Sequence, residues 1–233
     1  MITAVGLCPW PPVLVRELTG TDPVLPELRH ACAKLVDALI STAPEVIFVV
    51  GPGPGTRTWA ADSHLDLSLF APLRRTSASS LPTPLGIGSY LLDQAQYEGR
   101  RVLQAVSTLA SVGTCAGLGH RLATASDRIA LLAMGDGSAR RSLKAPGYLD
   151  TRARPFDATV VEALESADFR ALERVSADLA RDLMASGRIA WQTIAGALRS
   201  VPATVEVLYK DDPFGVLYFA GLYRPAGAVG PEA

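Results

Sequence analysis

Apolar residues along this chain fall into two rhythms. Apolar runs stand at Ile2–Leu7, at Val46–Val50 and over Arg128–Met134, the last apolar after its first residue. Such runs, bounded by turn residues, predict strands buried on both faces. Arg101–Val106 predicts a fourth strand. Helical spacing separates them: Leu25, Leu28, Cys32, Leu35, Val36 and Leu39 make one apolar face of a helix starting near Asp22-Pro23. Ile87–Tyr97 and Cys115–Thr124 predict two more helices. Phe156–Glu165, Phe169–Ala185 and Ile189–Leu198 predict another three, with Ser166 and Asp168 at a helix boundary and Gly187 before the last. Thr204–Leu208 and Val216–Leu222 are apolar runs around Tyr-Lys-Asp-Asp-Pro-Phe-Gly, a hairpin signal.

Strands alternating with helices predict an α/β sandwich, a largely parallel central sheet flanked by helices, with a C-terminal β-hairpin. The expected organisation is a single domain over residues 1–223 and a flexible Pro/Gly/Ala-rich tail over 224–233. Residues 56–84 have no clear period and predict an irregular excursion, with an edge strand around Leu65–Phe70.

Composition narrows the function classes. Of 233 residues, 48% are hydrophobic and 19% charged, which suits a globular chain rather than a disordered one. A net charge of −1 leaves no broad nucleic-acid footprint, so no nucleic-acid partner is expected. No apolar run approaches the roughly 20 residues of a membrane-spanning helix, and no signal peptide is legible, so no membrane partner is expected either. Cys8, Cys32 and Cys115 are far apart, odd in number and form no CxxC pair. They suit a reducing compartment, and a cytoplasmic location is the expectation.

The richest chemistry lies where the strand ending at Met134 runs into Gly135-Asp-Gly-Ser138. A loop follows with Arg140, Arg141, Lys144, Arg152 and Arg154 set against Asp136, Asp150 and Asp157. Open α/β sheets bind ligands beyond the carboxyl ends of their strands. Arginine forks suit carboxylates and phosphates, and Tyr148 can stack on a ligand or hydrogen-bond to it. Two readings stand: contact with a ligand or partner, or an internal ion-pair lattice that holds the loop on the sheet. Other motifs are weaker. Gly51-Pro-Gly-Pro-Gly55 lacks the consecutive N–H donors and the lysine of a phosphate loop. There is no Gly-x-Ser-x-Gly elbow for a serine nucleophile. Cys8 reads as a nucleophile or, more simply, a small buried thiol.

Four features, in order, carry a family likeness: a strand entering Cys8-Pro-Trp-Pro-Pro-Val-Leu14, a strand ending in a Gly/Pro stretch near Gly51, a strand entering Gly135-Asp-Gly-Ser138, and a helix following Ser186-Gly-Arg188. In this the chain resembles the class III extradiol ring-cleavage dioxygenase superfamily, the LigB-like fold that also includes the Memo proteins. The resemblance implies a non-haem ferrous ion held by two histidines and a carboxylate, with a further histidine as acid/base. Here Trp10 stands in the first turn, Gly51–Gly55 holds no histidine, Ala139 follows Gly-Asp-Gly-Ser, and Ser186-Gly187 lies near the last expected ligand.

The expectation is therefore a divergent member with no metal ligands, no catalytic residues and no cofactor. It would bind a small anionic or aromatic molecule, or a protein partner, through Trp10, Asp136, Ser138, Arg140, Arg141, Lys144 and Tyr148. Three alternatives remain: a dioxygenase with displaced ligands such as His64, Asp66 and His120, a metal-free activity centred on Asp136 and Ser138, or a structural subunit of a homo-oligomer.

Overall fold

In the computed structural model, which describes residues 1–20, 24–60, 63, 65–66 and 81–227, period-2 alternation places neighbouring strand residues on opposite faces of one sheet. Its strands are β1 (Ile2–Cys8), β2 (Val46–Gly53), β3 (Arg57–Trp59), β4 (Arg101–Ser107), β5 (Ile129–Met134), β6 (Ala203–Asp211) and β7 (Tyr218–Pro225). Val46, Phe48 and Val50 face one layer, with α4 (Val112–Ala123), α5 (Ala153–Glu165), α6 (Phe169–Glu173), α7 (Ala177–Asp182) and α8 (Arg188–Leu198). Ile47 and Val49 face the other, with α2 (Pro26–Ser41) and α3 (Thr83–Gln94). The short α1 (Arg16–Thr19) lies between β1 and α2.

The sheet order is β3-β4-β2-β5-β1-β7-β6. The expected largely parallel sheet is corrected to a mixed one. Only β4-β2-β5-β1 is parallel, whereas β3 against β4, β7 against β1 and β6 against β7 are antiparallel. Helical crossovers bring strands back parallel. Strand β3 follows β2 through a short Gly/Pro turn, and β7 returns beside β1 from the expected hairpin.

Other differences have local causes. Strand β2 does not stop at Gly51 but runs buried through Gly53 against β4, so the turn falls at Pro54-Gly55. The helix expected over Phe169–Ala185 is two short ones, because the Ser176 hydroxyl caps a new start by accepting from the Leu179 N–H. Helix α5 begins at Ala153, with Pro155 tolerated in its first turn. Arg224 and Pro225, expected in the tail, pair with Thr204 and Ala203 in the hairpin. The edge strand expected around Leu65–Phe70 falls largely outside the described residues, and Leu65 and Asp66 are not in a strand. Among the described residues no helix is long and apolar enough to cross a membrane.

Helices α4 and α8 meet almost backbone to backbone. A Cβ on Gly119 would lie 2.0 Å from the Thr193 carbonyl oxygen, and one on Gly196 would lie 2.1 Å from that of Ala116. Backbone cannot rotate aside, so Gly119→Ala must push the helices apart. The expected loss is about 2–3 kcal/mol, read by urea denaturation. A cost below about 0.5 kcal/mol, as for a surface change, would contradict the close crossing.

Candidate functional site

The carboxyl ends of β1 and β5 lie side by side, with Cys8 opposite Met134. The Gly135 N–H donates to the Cys8 carbonyl at 2.9 Å, extending the pairing by one step. The two chains then diverge, Trp10 from one and Asp136 from the other. The Trp10 backbone N–H donates to Asp136 Oδ1 at 3.0 Å, and its indole Nε1–H donates to Ser186 Oγ at 3.1 Å. Ser186 Oγ also accepts the Asp136 N–H at 3.3 Å. Glycines permit this approach: a Cβ on Gly135 would lie 2.6 Å from Gly187 Cα, and one on Gly187 would lie 2.6 Å from the Asp136 carbonyl oxygen.

Electrostatics set this corner apart. Asp136 is 7% exposed. Burial pushes its carboxyl from the ordinary 3.8 to about 7, against the opposing pull of the Trp10 N–H. Tyr218, also buried, has its phenol raised first by burial and then by the Asp136 charge. The Cys8 thiol is raised by its hydrogen bond to Cys32, whose sulfur is 3.5 Å away, and then by burial. All three cysteines are free and buried.

Two residues on, Ser138 is fully buried rather than presented to a cleft. Its N–H and hydroxyl donate to the two oxygens of Asp157, at 2.9 and 2.5 Å. Asp157 is raised chiefly by burial, although Ser138 and Arg141 pull it down. Arg141 lies 3.6 Å from Asp157 and 2.9 Å from Asp212, which also receives Arg154 at 3.2 Å. Arg140 donates to the Gly147 carbonyl at 2.7 Å and the Asp182 carbonyl at 2.9 Å. Arg152 pairs with Asp150 and Asp182, and it holds the half-buried Asp150 carboxyl down at about 2. Backbone bonds from Ala139 to Leu183, Arg141 to Gly215 and Gly147 to Ala139 complete the stitching.

The seven candidates thus separate. Trp10 and Asp136 come together, with Ser186 between them. Ser138, Arg140 and Arg141 bond within the loop and its supports. Lys144 and Tyr148 are exposed, Tyr148 with a φ of 60°. Tyr218 was missed, since nothing in an apolar hairpin strand marks a tyrosine as a neighbour of Asp136. Ser186 stood in a motif of the family likeness but was not counted among the contacts.

The residues at the strand ends do not fit an iron site. Asp136 supplies one carboxylate, but the first turn has an indole, and Gly51 packs against Pro84 and Met134. Among the described residues, no three His, Cys, Asp or Glu side chains are grouped to hold a metal ion. His64 lies outside the described residues, Asp66 is buried, and His120 is exposed on α4.

No family model matches the chain, and no curated protein matches it. Among solved structures it is similar to an uncharacterized protein from Escherichia coli K12, with a TM-score of 0.63 and 15% identity. The match covers 95% of this chain and 99% of that one, a likeness of fold over nearly the whole length.

Proposed function

We propose that this chain is a cytoplasmic extradiol-dioxygenase-fold protein that has given up iron chemistry, and that it binds a small aromatic molecule carrying a phenolic or carboxylate oxygen. One observation carries the reading: Asp136, buried and with its carboxyl raised to about 7, accepts the Trp10 backbone N–H at the carboxyl ends of β1 and β5. A neutral carboxyl is a hydrogen-bond donor to an anionic oxygen, and an apolar site keeps it so. The adjacent indole offers an aromatic face for stacking. The arginines of the following loop already bond within the protein, so the ligand's oxygen is matched to Asp136 rather than to a guanidinium.

The test uses 3,4-dihydroxybenzoate as probe, followed by heteronuclear NMR. Shifts are expected at the Trp10 indole N–H and the amides of Asp136 and Ser186. Binding should weaken as pH rises through about 7, when Asp136 ionises, and Asp136→Asn should remove that pH dependence. Oxygen-dependent ring opening that is lost on chelation would overturn the reading, as would shifts confined to other surfaces.

A further inference from the structure

At the opposite end of β1, about 20 Å from Cys8 at ~3.3 Å per residue, lies a groove of about 1370 Å³. Its floor is apolar. Helix α4 presents Gly113, Ala116 and Gly117 along one wall, and Ile2, Leu198 and Val201 contribute elsewhere. Both of these glycines stand clear of close packing. A Cβ on Gly113 would meet nothing nearer than 3.8 Å, and one on Gly117 nothing nearer than 3.6 Å. Glycine is a poor helix former, yet here it keeps the wall of an open groove bare. Met1, Val112 and Val201, which also line it, are large apolar residues left exposed.

The rim has the opposite character. Arg170, Arg174, Arg199 and His120 line it against a single carboxylate, Glu173. Arg199 is paired with Glu173 at 2.8 Å. Arg170 and Arg174 are exposed and have no ion-pair partner among the described residues. The groove thus offers an apolar trough with two unneutralised guanidinium groups at one side. Its α4 wall of 12 residues is about 18 Å long at 1.5 Å per residue, enough for an extended medium-chain tail.

We propose that this groove is a binding site for an amphipathic monoanion, a carboxylic acid on a linear apolar tail. The carboxylate sits between Arg170 and Arg174, and the tail runs along the bare face of α4 at Gly113 and Gly117. Guanidinium forks match a carboxylate, and apolar burial of the tail supplies the rest of the affinity. The site is separate from the Trp10–Asp136 corner, and neither depends on the other.

The test is calorimetric titration of the full chain with dodecanoate below its micellar concentration, beside 1-dodecanol and acetate. One saturating site for dodecanoate is expected, with weaker binding of the alcohol and none of acetate. Arg170→Ala with Arg174→Ala should weaken dodecanoate by about tenfold or more and bring it level with the alcohol. Gly117→Leu, which fills the trough from an open helix face, should abolish binding while leaving the thermal midpoint unchanged or higher. Lack of saturable binding would overturn the proposal. So would affinity indifferent to both variants, or an alcohol bound as tightly as the acid. Asp136→Asn should leave dodecanoate binding unchanged, which separates this site from the other.

Discussion

Replacing Asp136 with Asn is expected to stabilise the protein by about 4 kcal/mol above pH 7 and by almost nothing near pH 4. The folded carboxyl is raised to about 7 from an ordinary 3.8, so the folded chain holds its proton more tightly than the unfolded chain. Stability that depends on a raised acid is complete below the unfolded value. It declines as pH rises between the two values and levels off above the higher one. At 1.36 kcal/mol per pH unit the difference amounts to about 4 kcal/mol. Asparagine keeps an oxygen to accept the Trp10 N–H and has no charge to bury. Urea denaturation of both proteins from pH 4 to pH 8 measures the gap. A gap that does not widen with pH would mean that the wild-type carboxyl is not desolvated.

Asp157→Ala should have the opposite sign and a similar size, a loss of about 3–5 kcal/mol. Asp157 is 1% exposed and receives both the N–H and the hydroxyl of Ser138, itself fully buried. It also faces Arg141, which lies 3.6 Å away. Truncation leaves two buried donors without an acceptor and removes one of the two carboxylates beside a guanidinium. Ser138→Ala, by contrast, deletes one donor and should cost about 1–2 kcal/mol. Equilibrium denaturation ranks the two variants. If they cost the same, the carboxylate is not the hub of the Gly135–Asp157 segment.

These two carboxylates show where reading the chain alone succeeds and where it stops. Asp136 stands out in the sequence because it follows an apolar strand, and strand ends in α/β sheets gather ligands. Its partners could not be read from spacing. Ser186 lies 50 residues further on, and Tyr218 sits in a hairpin strand with no mark of its role. The cationic loop shows the same limit. Two readings of its arginines stood open, and bond lengths place Arg140 and Arg141 against the protein's own carbonyls and carboxylates.

The sequence by itself determined what depends on local periodicity. Apolar runs specified β1, β2 and β5, and the Leu28–Leu39 stripe specified the buried face of α2. Turn chemistry around Asp212-Pro213 specified the hairpin. Each of these signals acts over a few residues, where side-chain direction follows backbone geometry. The tertiary structure alone decided the order of the strands, the antiparallel pairing of β3 with β4 and of β7 with β1, and the meeting of Trp10, Asp136 and Ser186. It alone also decided the groove beside α4. Such features depend on which distant surfaces bury each other, and on close approaches such as Gly119 to Thr193, for which a linear pattern of apolar and polar residues has no register.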